Sequence, residues 1–172
     1  MTHRLRFLAA GLAAIAFNTL PALASAHPDA PRAAEASAGS ALTGAAAEAA
    51  QVVDAFHAAL KAGDAAKAAS LMADTAVIYE AGGVERSKAD YAAGHLARDA
   101  AFLKTASASV ERRTGGAHGD LAWVASEGRL KGEADGKAID RITTETMILS
   151  KTPLGWRITH AHWSSRAASA AH

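Results

Sequence analysis

The apolar pattern along the chain changes period once, near residue 105. Between Ala46 and Ala62, Val52, Val53, Phe56 and Leu60 recur at three- and four-residue spacing, the stripe of an amphipathic helix. Gly63 predicts its C-terminal stop, and Asp64 can cap a short second helix running to Met72. Ala76-Val77-Ile78-Tyr79-Glu80 predicts a strand ended by Gly82-Gly83. Ser87 and Asp90 form a short version of a capping box and open a third helix, to about Lys104. On that helix Tyr91, His95, Asp99 and Phe102 lie along one stripe, with Ala92, Leu96, Ala100 and Leu103 beside it.

Beyond that point the period is two. Ser107–Arg113, Leu121–Leu130, Ala138–Ser150 and Trp156–Ser164 predict four long strands, with glycine-bearing connectors at 115–120, 132–136 and 152–155. The order helix, helix, strand, helix, then four antiparallel strands is an α+β arrangement. Twist curls such a sheet. The expected architecture is a curved antiparallel sheet with three helices from the N-terminal half packed on its concave face. That leaves a pocket between sheet and helices, and a convex face in need of a partner or polar cover.

The chain start follows a different logic. Arg4 and Arg6 precede the apolar run Phe7–Phe17, and Pro21 and Ala24-Ser25-Ala26 follow: the three regions of a secretory signal peptide. Asn18-Thr19 interrupt the run short of the roughly 20 residues that a membrane span needs. The expectation is cleavage after Ala26 and export, to the periplasm of a Gram-negative bacterium or otherwise by secretion, with no membrane association afterwards. Residues 27–45, rich in Ala, Pro, Ser and Gly, read as a flexible linker, 46–166 as the folded domain and 167–172 as a tail.

Composition narrows the chemistry. The 172 residues carry 18 Lys+Arg against 17 Asp+Glu, and losing Arg4 and Arg6 would turn the net charge from +1 to −1. That is no footprint for nucleic acid. The absence of cysteine excludes disulfides, thiolate metal sites and a cysteine nucleophile. Ser164-Ser165 lacks the glycines of a nucleophile elbow, and Gly115-Gly116 falls in a hairpin connector rather than a phosphate loop. Arg112, Arg113 and Lys131 read as outward strand positions, His118 as solvated and His57 as a helix-flank residue.

The closing segment carries a resemblance. Glu145-Thr146-Met147-Ile148-Leu149, a turn, and Gly155-Trp156-Arg157-Ile158-Thr159-His160-Ala161-His162-Trp163-Ser164-Ser165 resemble the last hairpin of the nuclear transport factor 2-like superfamily, in its SnoaL-like branch. The pattern is also similar to the association (hub) domain of the calcium/calmodulin-dependent kinase, and Gly119-Asp120-x-Ala122-x-Val124-Ala125 matches the strand before it. The resemblance spans about Ala46 to Arg166. It implies a cone-shaped α+β barrel, usually dimeric, in a superfamily of isomerases, cyclases, dehydratases, binding modules and assembly domains, so activity has to be argued from the site. It also implies that the positions of Met147 and Trp163 face the pocket. In the hub these two and the position of Gly128 are arginines; their replacement here implies an apolar, aromatic cavity in place of an anion site of the hub type.

Hairpin register decides which residues share a face. Thr152-Pro153-Leu154-Gly155 predicts a type I turn followed by a left-handed glycine, a three-residue loop. Thr152 then opposes Trp156, Ile148 opposes His160, Met147 opposes Ala161 and Thr146 opposes His162. A two-residue loop would instead set Glu145 beside His162. The three-residue register puts Trp156, Ile158, His160 and His162 on one face, and Glu145, Met147, Leu149, Ala161 and Trp163 on the other.

The expected ligand site therefore comprises Phe56, Tyr91, Phe102, Val124, Ser126, Met147 and Trp163, with Glu145 near its rim, holding a small, largely apolar molecule. Trp123, Trp156, Ile158, His160 and His162 are expected on the convex face as a homodimer interface. An alternative is an isomerase, cyclase or hydratase using His95 with Asp99 or Glu145 as acid and base; the plainer reading has Asp99 fixing His95. A further alternative is an interaction or assembly module acting through the convex face. His160 and His162, with His95 and Asp99, have spacings that suit zinc or copper. The register separates the two pairs, so neither metal nor cofactor is expected.

Overall fold

Helix α1 (Gly44–Ala62) opens the computed structural model, which describes residues 41–134 and 136–168. The expected signal segment, most of the expected linker and the last residues of the tail lie outside those described. Ala49, Val53, Phe56 and Leu60 form the buried stripe of α1, and Gly63, at φ 76°, ends it by donating its N–H to the Ala59 and Leu60 carbonyls. Helix α2 (Ala65–Ser70) is capped by Asp64, whose side chain accepts from the Lys67 N–H.

Strand β1 (Met72–Glu80) turns through Ala81-Gly82 into a short β2 (Gly83–Glu85), where the sequence pattern ended the strand. The long third helix expected from Ser87 is two helices, α3 (Lys88–Ala93) and α4 (Leu96–Thr105). Gly94 leaves the helical region between them (φ −99°, ψ −86°), so the stripe drawn through Tyr91, His95, Asp99 and Phe102 is broken. No helix among the described residues is long and apolar enough to cross a membrane.

Four long strands follow: β3 (Ser107–His118), β4 (Leu121–Ala134), β5 (Lys137–Thr152) and β6 (Gly155–Ala167). Gly115 and Gly116, expected in a connector, lie inside β3. The sheet order is β2-β1-β6-β5-β4-β3, antiparallel throughout except where β1 runs parallel to β6. The sheet is curved and unclosed, and α1 packs across its inner face through Val53, Phe56 and Leu60 against Val124, Met147, Leu149 and Ile158.

The β5–β6 register is both confirmed and corrected. Gly155 takes the expected left-handed conformation (φ 93°), yet Thr152 pairs with Gly155 and Lys151 with Trp156, one residue short of the expected register. A bulge at Thr159, whose hydroxyl donates to the Ile148 carbonyl at 3.1 Å, then inserts the missing residue. Beyond it, Ile148 opposes His160, Met147 opposes Ala161 and Thr146 opposes His162, as expected. The extra residue flips the near half of β6. Trp156 (4% exposed) and Ile158 (0%) lie in the core with Met147, Ala161 and Trp163, and not on the convex face with the two histidines.

The bulge makes a stability prediction. Ile158→Ala removes a fully buried side chain and should cost about 2–5 kcal/mol in urea unfolding, whereas the exposed His162→Ala should cost about 0.5 kcal/mol or less. Equal small effects would put Ile158 back on the outer face.

Candidate active site

One row of residues crosses the inner face of the sheet. Arg113 on β3 pairs with Ser126 on β4, Ser126 with Glu145 on β5, Glu145 with Trp163 on β6, and Trp163 with Glu80 on β1. The pleat turns all five side chains to the same side. Helix α1 lies over this row and adds Asp54 and, one turn later, His57.

Glu145 is the centre of the arrangement. Its Oε2 meets His57 Nε2 at 2.6 Å and accepts the Trp163 indole N–H at 2.8 Å. The Glu145 side chain is 10% exposed and the His57 ring side chain 39%, so a buried carboxylate holds an imidazole that reaches solvent. Burial pushes the carboxyl upward. The bond and charge of His57, the Trp163 N–H and the Arg113 charge outweigh burial and keep Glu145 below its ordinary value. Alongside, Arg113 donates from Nε to the Ser126 hydroxyl (3.1 Å) and from Nη1 to Asp54 (2.6 Å).

Aromatic rings wall the pair. Trp163 stacks on Phe56, with centroids 6.3 Å apart and planes 14° off parallel, and its other neighbour is Tyr91, with a centroid separation of 6.0 Å. The Tyr91 hydroxyl donates to Asp99 at 2.7 Å, while His95 Nδ1 pairs with Glu85. Burial pushes the carboxyls of Asp99 and Glu80 up, their mutual charge adds to the rise at Glu80, and burial beside Asp99 raises the Tyr91 phenol.

These placements revise the expected site residue by residue. Phe56, Tyr91, Val124, Ser126, Met147 and Trp163 do converge, but Phe56, Val124 and Met147 have no exposed surface and pack on one another where a cavity was expected. Phe102 is elsewhere, close against Gly132, because the break at Gly94 turns α4 away from the line of α3. Asp99 does not fix His95: each has another partner, Tyr91 for the one and Glu85 for the other. Glu145 does sit at the site, but with His57, which the pattern assigned to a helix flank. Its signal was the 53–57–60 spacing, which sets it beside the buried stripe of α1. Arg113, expected to face outward, points inward and is 19% exposed. At Gly128 a Cβ would come 2.2 Å from the Ser109 carbonyl oxygen, so no side chain fits at that hub arginine position without moving β3.

On the outer face, Tyr79 (45% exposed) sits edge-on between His160 and His162, with centroids at 5.2 and 6.3 Å. Trp123, also 45% exposed, opposes Ile148 on that face, as Ile148 opposes His160. The sheet thus lies between these histidines and His95.

The His57–Glu145 pair has a direct test. Glu145, with its lowered carboxyl, contributes stability that is present above the ordinary carboxylate range and lost as pH falls through its folded value. In His57→Ala burial dominates, so the Glu145 carboxyl midpoint in ¹³C NMR titration should move upward, and stability should then fall as pH rises through the raised value. An unmoved midpoint would show that the pair does not form in solution.

Comparison with known proteins agrees with the fold. No curated protein matches the sequence. Among solved structures, a Shewanella frigidimarina protein named a candidate ketosteroid isomerase is 40% identical, with the match covering 72% of this chain and all (100%) of that one at a TM-score of 0.66. A Xanthomonas campestris protein named a candidate calcium/calmodulin-dependent protein kinase II association domain is 24% identical over 74% of this chain and 94% of that one, at a TM-score of 0.63. A Streptomyces avermitilis protein named a candidate dehydratase of the nuclear transport factor 2-like family shares the fold at 18% identity, over 72% of this chain and 96% of that one, with a TM-score of 0.63. A family model described as SnoaL-like domain matches residues 49–168, and with that match the chain belongs to the SnoaL-like family, on the nuclear transport factor 2-like cone fold.

Proposed function

We propose that the domain moves a proton on a small molecule in an isomerase- or dehydratase-type reaction, with His57 as the group that takes and returns it. The observation that carries this reading is a carboxylate, 10% exposed, bonded at 2.6 Å to an imidazole that is 39% exposed. Imidazole exchanges protons near neutral pH, and a buried carboxylate orients the ring and stabilises its cation. Glu145 is in this reading the positioning partner, and Trp163 fixes the carboxylate by taking up the same oxygen. The names of the Shewanella and Streptomyces proteins support the class, since both chemistries remove a proton from carbon.

The test is deuterium exchange at carbon beside the carbonyl in a panel of small ketones and carboxylic acids, run with the full chain in D₂O. His57→Ala should slow the exchange about 10²–10⁴-fold. Loss on His95→Ala, with His57→Ala fully active, would move the chemistry to the Glu85–His95 pair. If nothing in the panel exchanges above the buffer rate and nothing shifts the His57 ring resonances, the reading fails.

A second proposal concerns the outer face, where Tyr79 and Trp123 are each 45% exposed beside His160 and His162. Exposed aromatic side chains on an uncovered sheet favour a second copy of the chain as partner. The double substitution His160→Glu, His162→Glu should convert a dimer to a monomer in sedimentation; a monomeric wild type, or an unaffected dimer, would refute this.

A further inference from the structure

Arg113 joins the site to a groove on its open flank. The groove, about 460 Å³, runs between α1 and β3 and is lined by Leu42, Asp54, Val110, Glu111, Arg112 and Arg113, among others. Of the five N–H donors of the Arg113 guanidinium, Nε reaches inward to Ser126 and Nη1 outward to Asp54; among the described residues the others have no bonded partner. The Asp54 side chain is 61% exposed and makes one contact with Arg113, through a single oxygen. An exposed pair of that kind is weak, about 0–1 kcal/mol. A free carboxylate that takes two parallel N–H donors binds a guanidinium better than this monodentate aspartate does. The other cation of the groove, Arg112, is only loosely engaged, 3.9 Å from Glu127.

The spacing then relates this groove to the proton-transfer pair. Asp54 and His57 are one turn apart on α1, about 5–6 Å between Cβ atoms. Ser126 and Glu145 are direct cross-strand partners, about 5 Å apart. The Asp54–Arg113–Ser126 set and the His57–Glu145–Trp163 set are thus adjacent rungs of one site. Resting on the proton-transfer reading above, we propose that the substrate is a short carboxylic acid: its carboxylate displaces Asp54 from Arg113, and the carbon that loses the proton lies two to four bonds away, at His57.

The probe is butyrate, with the isosteric neutral butyramide as control, followed by NMR of the Arg113 Nε–H resonance in the full chain. Butyrate should shift that resonance saturably and butyramide should not, and Arg113→Lys should weaken butyrate binding at least about tenfold, since lysine cannot offer the fork. Because Arg113→Lys also disturbs Ser126, a second variant is needed. Asp54→Ala, at an exposed position, should tighten butyrate binding several-fold by removing both the competitor and a like charge. Equal shifts from both probes, no shift from either, or weaker binding in Asp54→Ala would overturn the proposal. A neutral ketone that perturbs His57 while butyrate leaves Arg113 untouched would remove the carboxylate assignment alone; if neither class perturbs His57, the proton-transfer reading falls with it.

Discussion

Everything at this site depends on how β6 is registered against β5. The bulge at Thr159 lets the near half of β6 bury Trp156 and Ile158 and still brings Trp163 opposite Glu145 in the far half. Without that extra residue, one of the two halves would face the wrong way, because every one-residue slip exchanges the faces of a strand. A packed end and a polar end of the cone could not then share one strand.

The polar end obeys the electrostatics of a partly dry interior. A lone carboxylate at the depth of Glu145 would be driven toward its neutral form. Here three elements answer it at once: His57 from α1, Trp163 from β6 and the charge of Arg113 from β3. On the far side of Trp163 the balance runs the other way. Asp99 and Glu80 share a region with Glu85, and although the Tyr91 hydroxyl, His95 and Arg98 oppose the charge of Asp99 and His95 that of Glu80, burial prevails. Trp163, between the two groups and stacked on Phe56, separates a carboxylate kept ionised from carboxyls pushed toward neutrality.

Most of the architecture was legible in the chain because local patterns specify local structure. The 52–53–56–60 stripe, the Gly63 stop, the Asp64 and Ser87 caps and the period-two segments all correspond to observed elements. The closing hairpin pointed to the fold family through its run of glycine, tryptophan and histidine positions. The misses were local competitions whose winner is decided elsewhere. Gly94 broke a helix that its capping pattern and stripe both supported, and Gly83–Glu85 extended a hairpin from a segment too short to show a period.

By itself, then, the sequence determined the class of fold and that Glu145, Met147 and Trp163 share one face while His160 and His162 share the other, since this follows from periodicity within single strands; which face is concave came from the resemblance. It could not say which groups from different elements would meet. Glu145 took its imidazole from residue 57 and Arg113 took its carboxylate from residue 54, across 88 and 59 positions of chain. Those pairings arise only when α1 is laid across the sheet, because a charged side chain finds its partner by proximity in space, and no spacing along the chain records that distance.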